Sequence, residues 1–174
     1  RLSIVDLHTG KQPIQGTNDA WMVHNGEIYN HQALRDTVLK SHTFRTTSDS
    51  EVIVHLYEEF GYEFCDMLDG IFAFVVISGD DFIAGRDPLG VKPLYYGLDE
   101  RGRIYFASEM KAIVDQCQTF STFPPGHYYT PKTGFVKYYR PQWEDASKAI
   151  EAVDYEAIRA SLTQAVEKRL MSDV

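Results

Sequence analysis

The stretch that decides the fold is Ile71-Phe72-Ala73-Phe74-Val75-Val76-Ile77. It is almost continuously apolar and rich in β-branched and aromatic side chains, which favour β-strands. A strand that lacks the usual alternation of apolar and polar residues is normally covered on both of its faces. The run therefore predicts a central strand that lies between two packed layers of the protein.

Segments on both sides of this run also have a strand-like composition, and turn residues separate several of them. They are residues 20–24, 27–29, 82–85, 94–97, 104–107, 127–130 and 135–139. Asn25-Gly26 separates the first two segments, and this dipeptide favours the tight turn of a β-hairpin. The middle of the chain is therefore predicted to form sheets, with a turn at Asn25-Gly26.

Helical patterns occur before and after the strand-rich region. A short helix is predicted in residues 31–40, and a longer helix follows with Glu51 in its first turn. Ser48 or Asp49 is predicted to cap the longer helix at its start, and Gly61 is predicted to end it. Residues 64–68, 110–114 and 155–171 are further predicted helices. Strands with helices before and after them predict an α+β layered sandwich.

Composition limits the classes of partner. With 174 residues, of which 44% are apolar, the chain can form one good-sized folded domain. Its formal net charge is −8, so neither nucleic acid nor an anionic membrane surface is an expected partner. No apolar stretch approaches the roughly 20 residues that cross a bilayer. Cys65 and Cys117 make no disulfide framework, and with no recognisable targeting signal the chain is expected in the cytosol.

The ends of the sequence suggest a piece of a longer protein. The chain begins at Arg1, enters an apolar stretch at once, and stops directly after a predicted helix. A complete domain rarely begins and ends in this way, although a processed mature chain could do so. The composition becomes small and charged after Trp143. We therefore predict one domain in residues 1–143, and a linker with the first helix of another domain in residues 144–174.

Two polar motifs predict a pocket for a zwitterionic amide. The Asn25 carboxamide stands beside the Gly26 N–H, and two donors aimed at one point can stabilise the oxyanion that forms when an amide carbonyl is attacked. Asp49, in Ser48-Asp49-Ser50-Glu51, could hold an ammonium group. Free glutamine fits both features. Taken singly, each motif has a plainer interpretation, which is a turn at Asn25-Gly26 and a helix cap at Asp49.

Five motifs occur in order along the chain: Arg1-Leu2-Ser3-Ile4-Val5-Asp6, Asn25-Gly26-Glu27-Ile28-Tyr29-Asn30, Ser48-Asp49-Ser50-Glu51, Gly85-Arg86-Asp87-Pro88-Leu89-Gly90 and Ala107-Ser108-Glu109-Met110-Lys111. Together they resemble the glutaminase domain of the asparagine synthetase family, within the class II glutamine amidotransferases of the N-terminal-nucleophile hydrolase fold. The resemblance covers residues 1–143. It implies an αββα sandwich, incomplete here, followed by the first helix of an α/β ATP-binding domain.

The resemblance also implies a mechanism. In the family, the nucleophile is a cysteine at the mature N-terminus, and its own α-amino group is the base, since an α-amine titrates close to pH 7. No residue of the present sequence matches that cysteine. Asn25 and Gly26 would form the oxyanion hole while a γ-glutamyl thioester forms and ammonia leaves. We do not expect Cys65 or Cys117 to be nucleophiles.

Substrate-binding residues are implied in the same way. Arg1 would bind the α-carboxylate of glutamine, because a guanidinium matches a carboxylate bidentately. Asp49 would hold the α-ammonium group with help from Glu27. Ile4 and Val5 would line the same wall. The plainer interpretation of Arg1 alone is a solvated end residue.

Partners and cofactors follow from the resemblance as well. No cofactor or metal is expected in residues 1–174, whereas ATP and Mg are expected in a synthetase domain outside them. The full-length protein would make asparagine from aspartate, ATP and glutamine, with its own synthetase domain as a partner, and it could form a homodimer. Residues 1–174 alone are expected to hydrolyse no glutamine, because they lack the N-terminal cysteine.

Three alternatives remain open at this point. The chain could belong to a class II amidotransferase with another acceptor, to a non-catalytic amidotransferase-like domain, or to a generic α+β domain. Among the other polar residues, Arg86 and Asp87 could be a buried ion pair or could act beside the nucleophile. His24 and His31 are interpreted as packing or surface groups. Glu109 and Lys111 are interpreted as structural or interface residues.

Overall fold

The computed structural model describes residues 4–145, 147 and 153–173. Its strands are β1 (Ile14–Gln15), β2 (Ala20–Ile28), β3 (Gly70–Ser78), β4 (Asp81–Arg86), β5 (Tyr95–Leu98), β6 (Ile104–Ala107), β7 (Thr119–Thr122), β8 (His127–Thr130) and β9 (Gly134–Lys137). Its α-helices are α1 (His31–Asp36), α2 (Glu51–Phe60) and α3 (Tyr155–Glu167). Short 3₁₀ helices occupy Cys65–Met67, Met110–Ala112 and Gln142–Glu144.

The apolar run of residues 71–77 lies in β3, at the centre of the larger sheet. The strand order of this antiparallel sheet is β1-β2-β3-β4-β8-β9. On one face of β3, Phe72, Phe74 and Val76 are buried in a core that α2 completes with Val52 and Leu56. The other face belongs to a second core, described next. The prediction of a central strand covered on both faces is therefore confirmed.

The smaller sheet forms the second layer against β3 and β4. Its strand order is β6-β5-β7. Ala73 and Ala84 of the larger sheet pack against Leu94 and Phe123, with the ring of Phe106 at the edge of this cluster. Burial of these apolar side chains between two sheets is the main stabilising force available to this layer. Two sheets with helices confirm the predicted α+β class.

The largest local difference from the sequence prediction is at Asn25-Gly26. These residues form no turn; they lie inside the continuous strand β2, with Asn25 opposite Ala73 and Gly26 opposite Phe72. Gly26 has φ +144, and a Cβ at this position would overlap the Ile71 carbonyl oxygen. The glycine is needed because the backbone of β3 comes so close, and the hairpin prediction was wrong for that reason.

Other predictions of local structure also need correction. Helix α2 begins at Glu51 with Ser50 as its N-cap residue, and no side chain caps it. The Asp49 carboxylate is used elsewhere, as described below. The predicted helix in residues 110–114 is a 3₁₀ helix of Met110–Ala112, and strands β1 and β7 were not predicted at all. The predicted end of α2 at Gly61, by contrast, is confirmed by its φ of +63.

Helix α3 carries three residues of the predicted apolar stripe, Ile158, Leu162 and Val166, and it ends at Glu167, before Leu170. All four side chains are exposed to solvent. Just beyond the helix, the Lys168 ammonium donates to the Asp69 carboxylate at 2.7 Å. The Asp173 N–H donates to the Ile4 carbonyl at 2.9 Å. The predicted domain boundary after Trp143 stays a prediction. Within the described ranges, no helix combines the length and the apolar character that crossing a membrane requires.

Candidate active site

The site is built on β2, where the strand passes under the smaller sheet. Side chains alternate along a strand, so Asn25 projects toward the same layer as its partner Ala73, which packs in the core between the sheets. A cavity of about 200 Å³ opens at this point. Its lining consists of Gln12, Val23, His24, Asn25, Ala73, Phe74, Val75, Leu94, Phe106, Ala107 and Ser108.

The edge of β2 that faces away from β3 has no complete strand beside it. Strand β1 pairs only with Trp21 and Met22. At His24 the side chain of Gln12 replaces the missing strand, since its Oε1 accepts from the His24 N–H at 2.7 Å and its Nε2 donates to the His24 carbonyl at 2.8 Å. At Ile28 the N–H donates to the Asp49 carboxylate at 2.8 Å. Alternation along β2 puts the Gly26 N–H on this same edge, between the two side-chain contacts.

The Asn25 carboxamide is held from the smaller sheet. Its Nδ2 donates to the Ser108 hydroxyl at 3.3 Å, and Ser108 directly follows β6. A carboxamide nitrogen carries two hydrogens. One hydrogen is directed at Ser108, and the second is free to meet an acceptor in the cavity. Asn25 and Gly26 can therefore offer one side-chain donor and one backbone donor from adjacent positions.

Asp49 is the buried charge of the site. Its side chain lies in the loop before α2 and is almost completely buried. Burial raises the pKa of Asp49, and the nearby charge of Glu27 acts in the same direction, although hydrogen bonds from the Ile28 and Ser50 N–H groups oppose both. A buried carboxylate in this state gains from a cationic partner, because the partner favours its ionised form.

The remaining predicted binding residues are placed unequally. Glu27 is half-buried and lies on β2 next to Gly26. Ile4 and Val5 are half-buried and belong to a segment held against the Asp49 loop, because the Thr47 N–H donates to the Asp6 carboxylate at 2.9 Å. Arg1 lies outside the described residues.

His24 lies on the core side of β2, next to Asn25 in the chain. It is buried, and its Nδ1 shares a hydrogen bond with the Ser50 hydroxyl at 2.8 Å. Burial, with a smaller contribution from the charge of Lys92, lowers the pKa of His24 to about 3. The ring is therefore neutral at physiological pH and links β2 to the start of α2. This location matches the interpretation of His24 as a packing group.

Arg86 and Asp87 are both buried, but they do not pair with each other. The Arg86 guanidinium donates to the carbonyl oxygens of Lys92, Phe123 and Gly90 at 2.6–2.8 Å. The Asp87 carboxylate accepts from four backbone N–H groups, those of Phe72, Leu89, Val91 and Lys92. Of the two interpretations left open for Arg86 and Asp87, the buried ion pair is therefore wrong. Both side chains stabilise the loop that leads from β4 toward β5 of the smaller sheet.

The two cysteines lie away from the cavity. Cys65 is buried in the core beneath α2, and burial raises the pKa of its thiol. Cys117 is buried against Gly97 of β5. Neither cysteine is among the residues that line the cavity. A thiol with a raised pKa is a poor nucleophile, so Cys65 has neither the position nor the ionisation for attack on a substrate.

One further group of residues has the composition of a metal site. In the described part of the chain, ligand-type atoms of His42, His55 and Glu58 come within 4.8 Å of one another. Two of these residues contact carboxylates, since His55 Nδ1 is 3.1 Å from Glu58 and His42 Nε2 is 3.2 Å from Glu59. None of these residues lines the cavity beside Asn25.

Comparison with known proteins gives this site its class. A family model described as a glutamine amidotransferase domain matches residues 1–164. The chain therefore belongs to the glutamine amidotransferase domain family. Two solved structures share the fold: glutamine phosphoribosylpyrophosphate amidotransferase from B. subtilis, with a TM-score of 0.59, and the allosteric regulatory enzyme of purine biosynthesis, with a TM-score of 0.60. Each is 27% identical; they cover 72% and 74% of this chain, which spans 30% of each of them.

The chain is also similar in sequence to asparagine synthetases of the glutamine-hydrolysing type. Asparagine synthetase 3 of Arabidopsis thaliana is 51% identical over the whole chain, asparagine synthetase 2 of Oryza sativa subsp. japonica is 50% identical, and a probable asparagine synthetase of Dictyostelium discoideum is 48% identical. The chain spans only 30–33% of the length of these relatives. With the structural likenesses, these matches confirm the expected N-terminal-nucleophile hydrolase-like fold and the recognition of the family.

Sequence reasoning gave no role in the site to two polar residues of the cavity, Gln12 and Ser108. Gln12 lies far from any motif that was singled out, and its contact with His24 cannot be read from spacing. Ser108 belongs to the motif Ala107-Ser108-Glu109-Met110-Lys111, but only Glu109 and Lys111 of that motif were given a role. These two residues form an exposed ion pair. The signal that could have found Ser108 is its place directly after a predicted strand.

Proposed function

We propose that this chain is the glutamine-hydrolysing part of an asparagine synthetase. The observation that carries the proposal is the arrangement on β2. The Asn25 side chain faces the layer between the sheets, and the Gly26 N–H lies at the open edge of the strand. Two residues after Gly26, the Ile28 N–H donates to the buried Asp49 carboxylate. A pair of donors with a buried anion nearby suits an amide that also carries an ammonium group. Free glutamine has both.

The reaction would begin when a cysteine thiolate, contributed by the N-terminus of the mature protein, attacks the carboxamide carbon of glutamine. Negative charge then develops on the carboxamide oxygen, and Asn25 Nδ2 and the Gly26 N–H would donate to it. Removal of one such donor typically lowers the rate by about 10²–10³. Ammonia would leave from the tetrahedral intermediate, and water would hydrolyse the γ-glutamyl thioester to glutamate.

Substrate recognition would use the charged groups around this centre. Asp49 would bind the α-ammonium group with Glu27, and the bound cation would keep the Asp49 carboxylate ionised despite its burial. Arg1 would bind the α-carboxylate. Ile4 and Val5 would form the apolar wall beside it. Because the site would bind both the α-ammonium and the α-carboxylate group, it would favour free glutamine over a glutamine residue within a protein.

The ammonia would be used by the rest of the protein. The asparagine synthetases named above extend well beyond the matched segment, since the chain spans about a third of their length. We infer that a synthetase domain of this kind, which would bind ATP and Mg, converts aspartate to asparagine with the ammonia released here. Identities near 50% with asparagine synthetases, against 27% with the phosphoribosylpyrophosphate amidotransferase, favour aspartate as the acceptor.

The test is asparagine formation by the full-length protein with glutamine or with ammonium chloride as the nitrogen source. Asn25→Ala should lower the glutamine-dependent rate by about 10²–10³ and leave the ammonia-dependent rate unchanged. Asn18→Ala, at an exposed asparagine, is the matched control and should change neither rate. Glutamine hydrolysis that survives Asn25→Ala would contradict the proposed site. Glutamine hydrolysis without asparagine formation would contradict the proposed acceptor.

A further inference from the structure

We propose that Gln12 and Ser108 are positioning residues that set the direction of the two oxyanion donors. The inference rests on the proposed function, because it concerns the geometry of Asn25 and Gly26. Both residues line the cavity beside Asn25, and each contacts β2 from a different side. Gln12 holds the strand backbone before the donors, and Ser108 holds the donor side chain.

Gln12 acts on the backbone. Its carboxamide makes two hydrogen bonds of 2.7 and 2.8 Å with the N–H and the carbonyl of His24, in the manner of a neighbouring strand. Because both the nitrogen and the oxygen of Gln12 are used, only one orientation of its carboxamide satisfies them. Strand β1 pairs no further along β2 than Met22. Gln12 is therefore what fixes the open edge of β2 between β1 and Gly26.

The backbone at Gly26 needs such a brace. Gly26 has φ +144, in a region that side-chain-bearing residues rarely adopt, and it lies close against the Ile71 carbonyl. A glycine can rotate its N–H at little cost. The hydrogen bonds at His24, two residues before, and at Ile28, two residues after, restrict that rotation. The direction of the Gly26 N–H would thus depend on Gln12 at one end and on Asp49 at the other.

Ser108 acts on the side chain of Asn25. Its hydroxyl accepts from Asn25 Nδ2 at 3.3 Å, and this contact holds the carboxamide in one place, with its NH₂ group beside Ser108. An oxyanion hole requires donors that already point at the developing charge, since reorientation during the reaction costs free energy. Without Ser108 the Asn25 side chain would lose this contact, and its NH₂ group would have to be reoriented during the reaction.

Substitution of Ser108 or Gln12 should lower the rate less than removal of an oxyanion donor does. A neutral hydrogen bond contributes about 1 kcal/mol, which corresponds to about fivefold in rate. Ser108→Ala should therefore lower kcat for glutamine hydrolysis about fivefold, and Gln12→Met, which removes two hydrogen bonds, should lower it about tenfold or more. KM for glutamine should change by less than about twofold, because the donors act on the transition state rather than on the bound substrate.

The experiment uses the full-length protein and measures kcat and KM for glutamine, the ammonia-dependent rate and the melting temperature. Ser108→Thr keeps the hydroxyl and should restore most of the activity that Ser108→Ala loses. In the background of Asn25→Ala, the change Ser108→Ala should have almost no further effect, since the contact no longer exists. Ser121→Ala and Gln116→Met, at exposed positions, are the matched controls.

Three results would overturn the inference. One is an unchanged kcat in Ser108→Ala and Gln12→Met. Another is an equal effect of Ser108→Ala with and without Asn25. The third is a parallel fall of the ammonia-dependent rate and the melting temperature, which would show a structural role only. If Gln12→Met does not fold, the comparison of Ser108→Ala with Ser108→Thr decides alone. If the unaltered protein hydrolyses no glutamine, the proposed function fails rather than this inference.

Discussion

Two polar regions of the molecule, one around Arg86 and Asp87 and one around Asn25 and Gly26, both begin as short motifs in the sequence but differ in how far their hydrogen-bonding groups are satisfied. After β4, the side chains of Arg86 and Asp87 direct their donors and acceptors to the protein's own backbone, with three carbonyls for the first and four N–H groups for the second. On β2, Asn25 and Gly26 retain donor capacity beside a cavity. The first region holds a loop in place, and the second has the features of a site.

The comparison teaches that burial and charge do not mark a site, because the structural brace at Arg86 and Asp87 is both more buried and more charged than Asn25 and Gly26. Both regions contain short, glycine-bearing motifs, and both lie within hydrogen-bonding distance of β3 or its neighbours. The difference is the hydrogen-bonding capacity that the side chain or N–H group retains after the neighbouring backbone groups have been paired. A buried polar group that is fully paired stabilises the fold. One that faces a cavity with a hydrogen still available can bind a ligand.

The largest effect is expected for Gly26→Ala. The new Cβ would overlap the Ile71 carbonyl at a backbone φ of +144, so β2 and β3 would have to separate. Glutamine-dependent activity of the full-length protein should fall by at least about 10²-fold, and its melting temperature should fall as well. Gly102→Ala is the control, since φ is also positive there but nothing lies near the added Cβ. Normal glutamine hydrolysis by Gly26→Ala would remove Gly26 from the site.

The next effect concerns the structural brace. Arg86→Met removes the guanidinium and leaves three carbonyl oxygens without their donor. We expect a loss of about 3 kcal/mol in the free energy of unfolding, measured by urea denaturation. The protein that remains folded should hydrolyse glutamine at close to the normal kcat. A large fall in kcat with unchanged stability would instead place Arg86 in the site.

A smaller effect is expected from pH, through His24. Its pKa of about 3 in the folded protein lies below the ordinary value of 6.5, so between these values only the unfolded chain gains the proton. Stability should therefore decrease as pH falls from about 6.5 and recover as pH rises, with about 2 kcal/mol lost between pH 7 and pH 5. In His24→Gln this part of the pH dependence should disappear. Identical pH profiles of the two proteins would show that His24 is not buried as a neutral ring.

The smallest effect is expected at the exposed pair of Lys111 and Glu109. Both side chains are largely in solvent, and exposed ion pairs contribute little because water and salt screen them. Lys111→Met should leave the melting temperature and the glutamine-dependent rate unchanged. A clear fall in the rate of asparagine formation from glutamine, with normal glutamine hydrolysis, would show that this surface serves the transfer of ammonia.

Much of the fold could be predicted from the sequence, because strong apolar patterns decided it. β6 and β8 have the predicted bounds, and β3 differs by one residue at each end. β1 is only Ile14–Gln15, too short for a pattern, and every residue of β7 is exposed. Neither strand therefore shows the apolar alternation on which a sequence prediction relies.

The parts of the site formed by residues adjacent in the sequence could be predicted, whereas the contacts between distant segments could not. Asn25 and Gly26 could be found as adjacent donors, although the turn rule for Asn-Gly misplaced them because the approach of Ile71 decides their conformation. The link between Asp49 and Ile28 spans 21 residues, and that between Ser108 and Asn25 spans 83. Such contacts depend on the packing of sheets and loops, which spacing in the sequence does not reveal.

The central claim is that Asn25 and Gly26 converge on the carboxamide oxygen of glutamine. A crystal structure of the full-length protein with bound glutamine, in a variant in which alanine replaces the cysteine proposed at the mature N-terminus, tests it directly. We predict that this oxygen lies within about 3.1 Å of both Asn25 Nδ2 and the Gly26 nitrogen, with the α-ammonium group on Asp49. Glutamine bound elsewhere, or with its carboxamide oxygen beyond hydrogen-bonding distance of both donors, would contradict the claim.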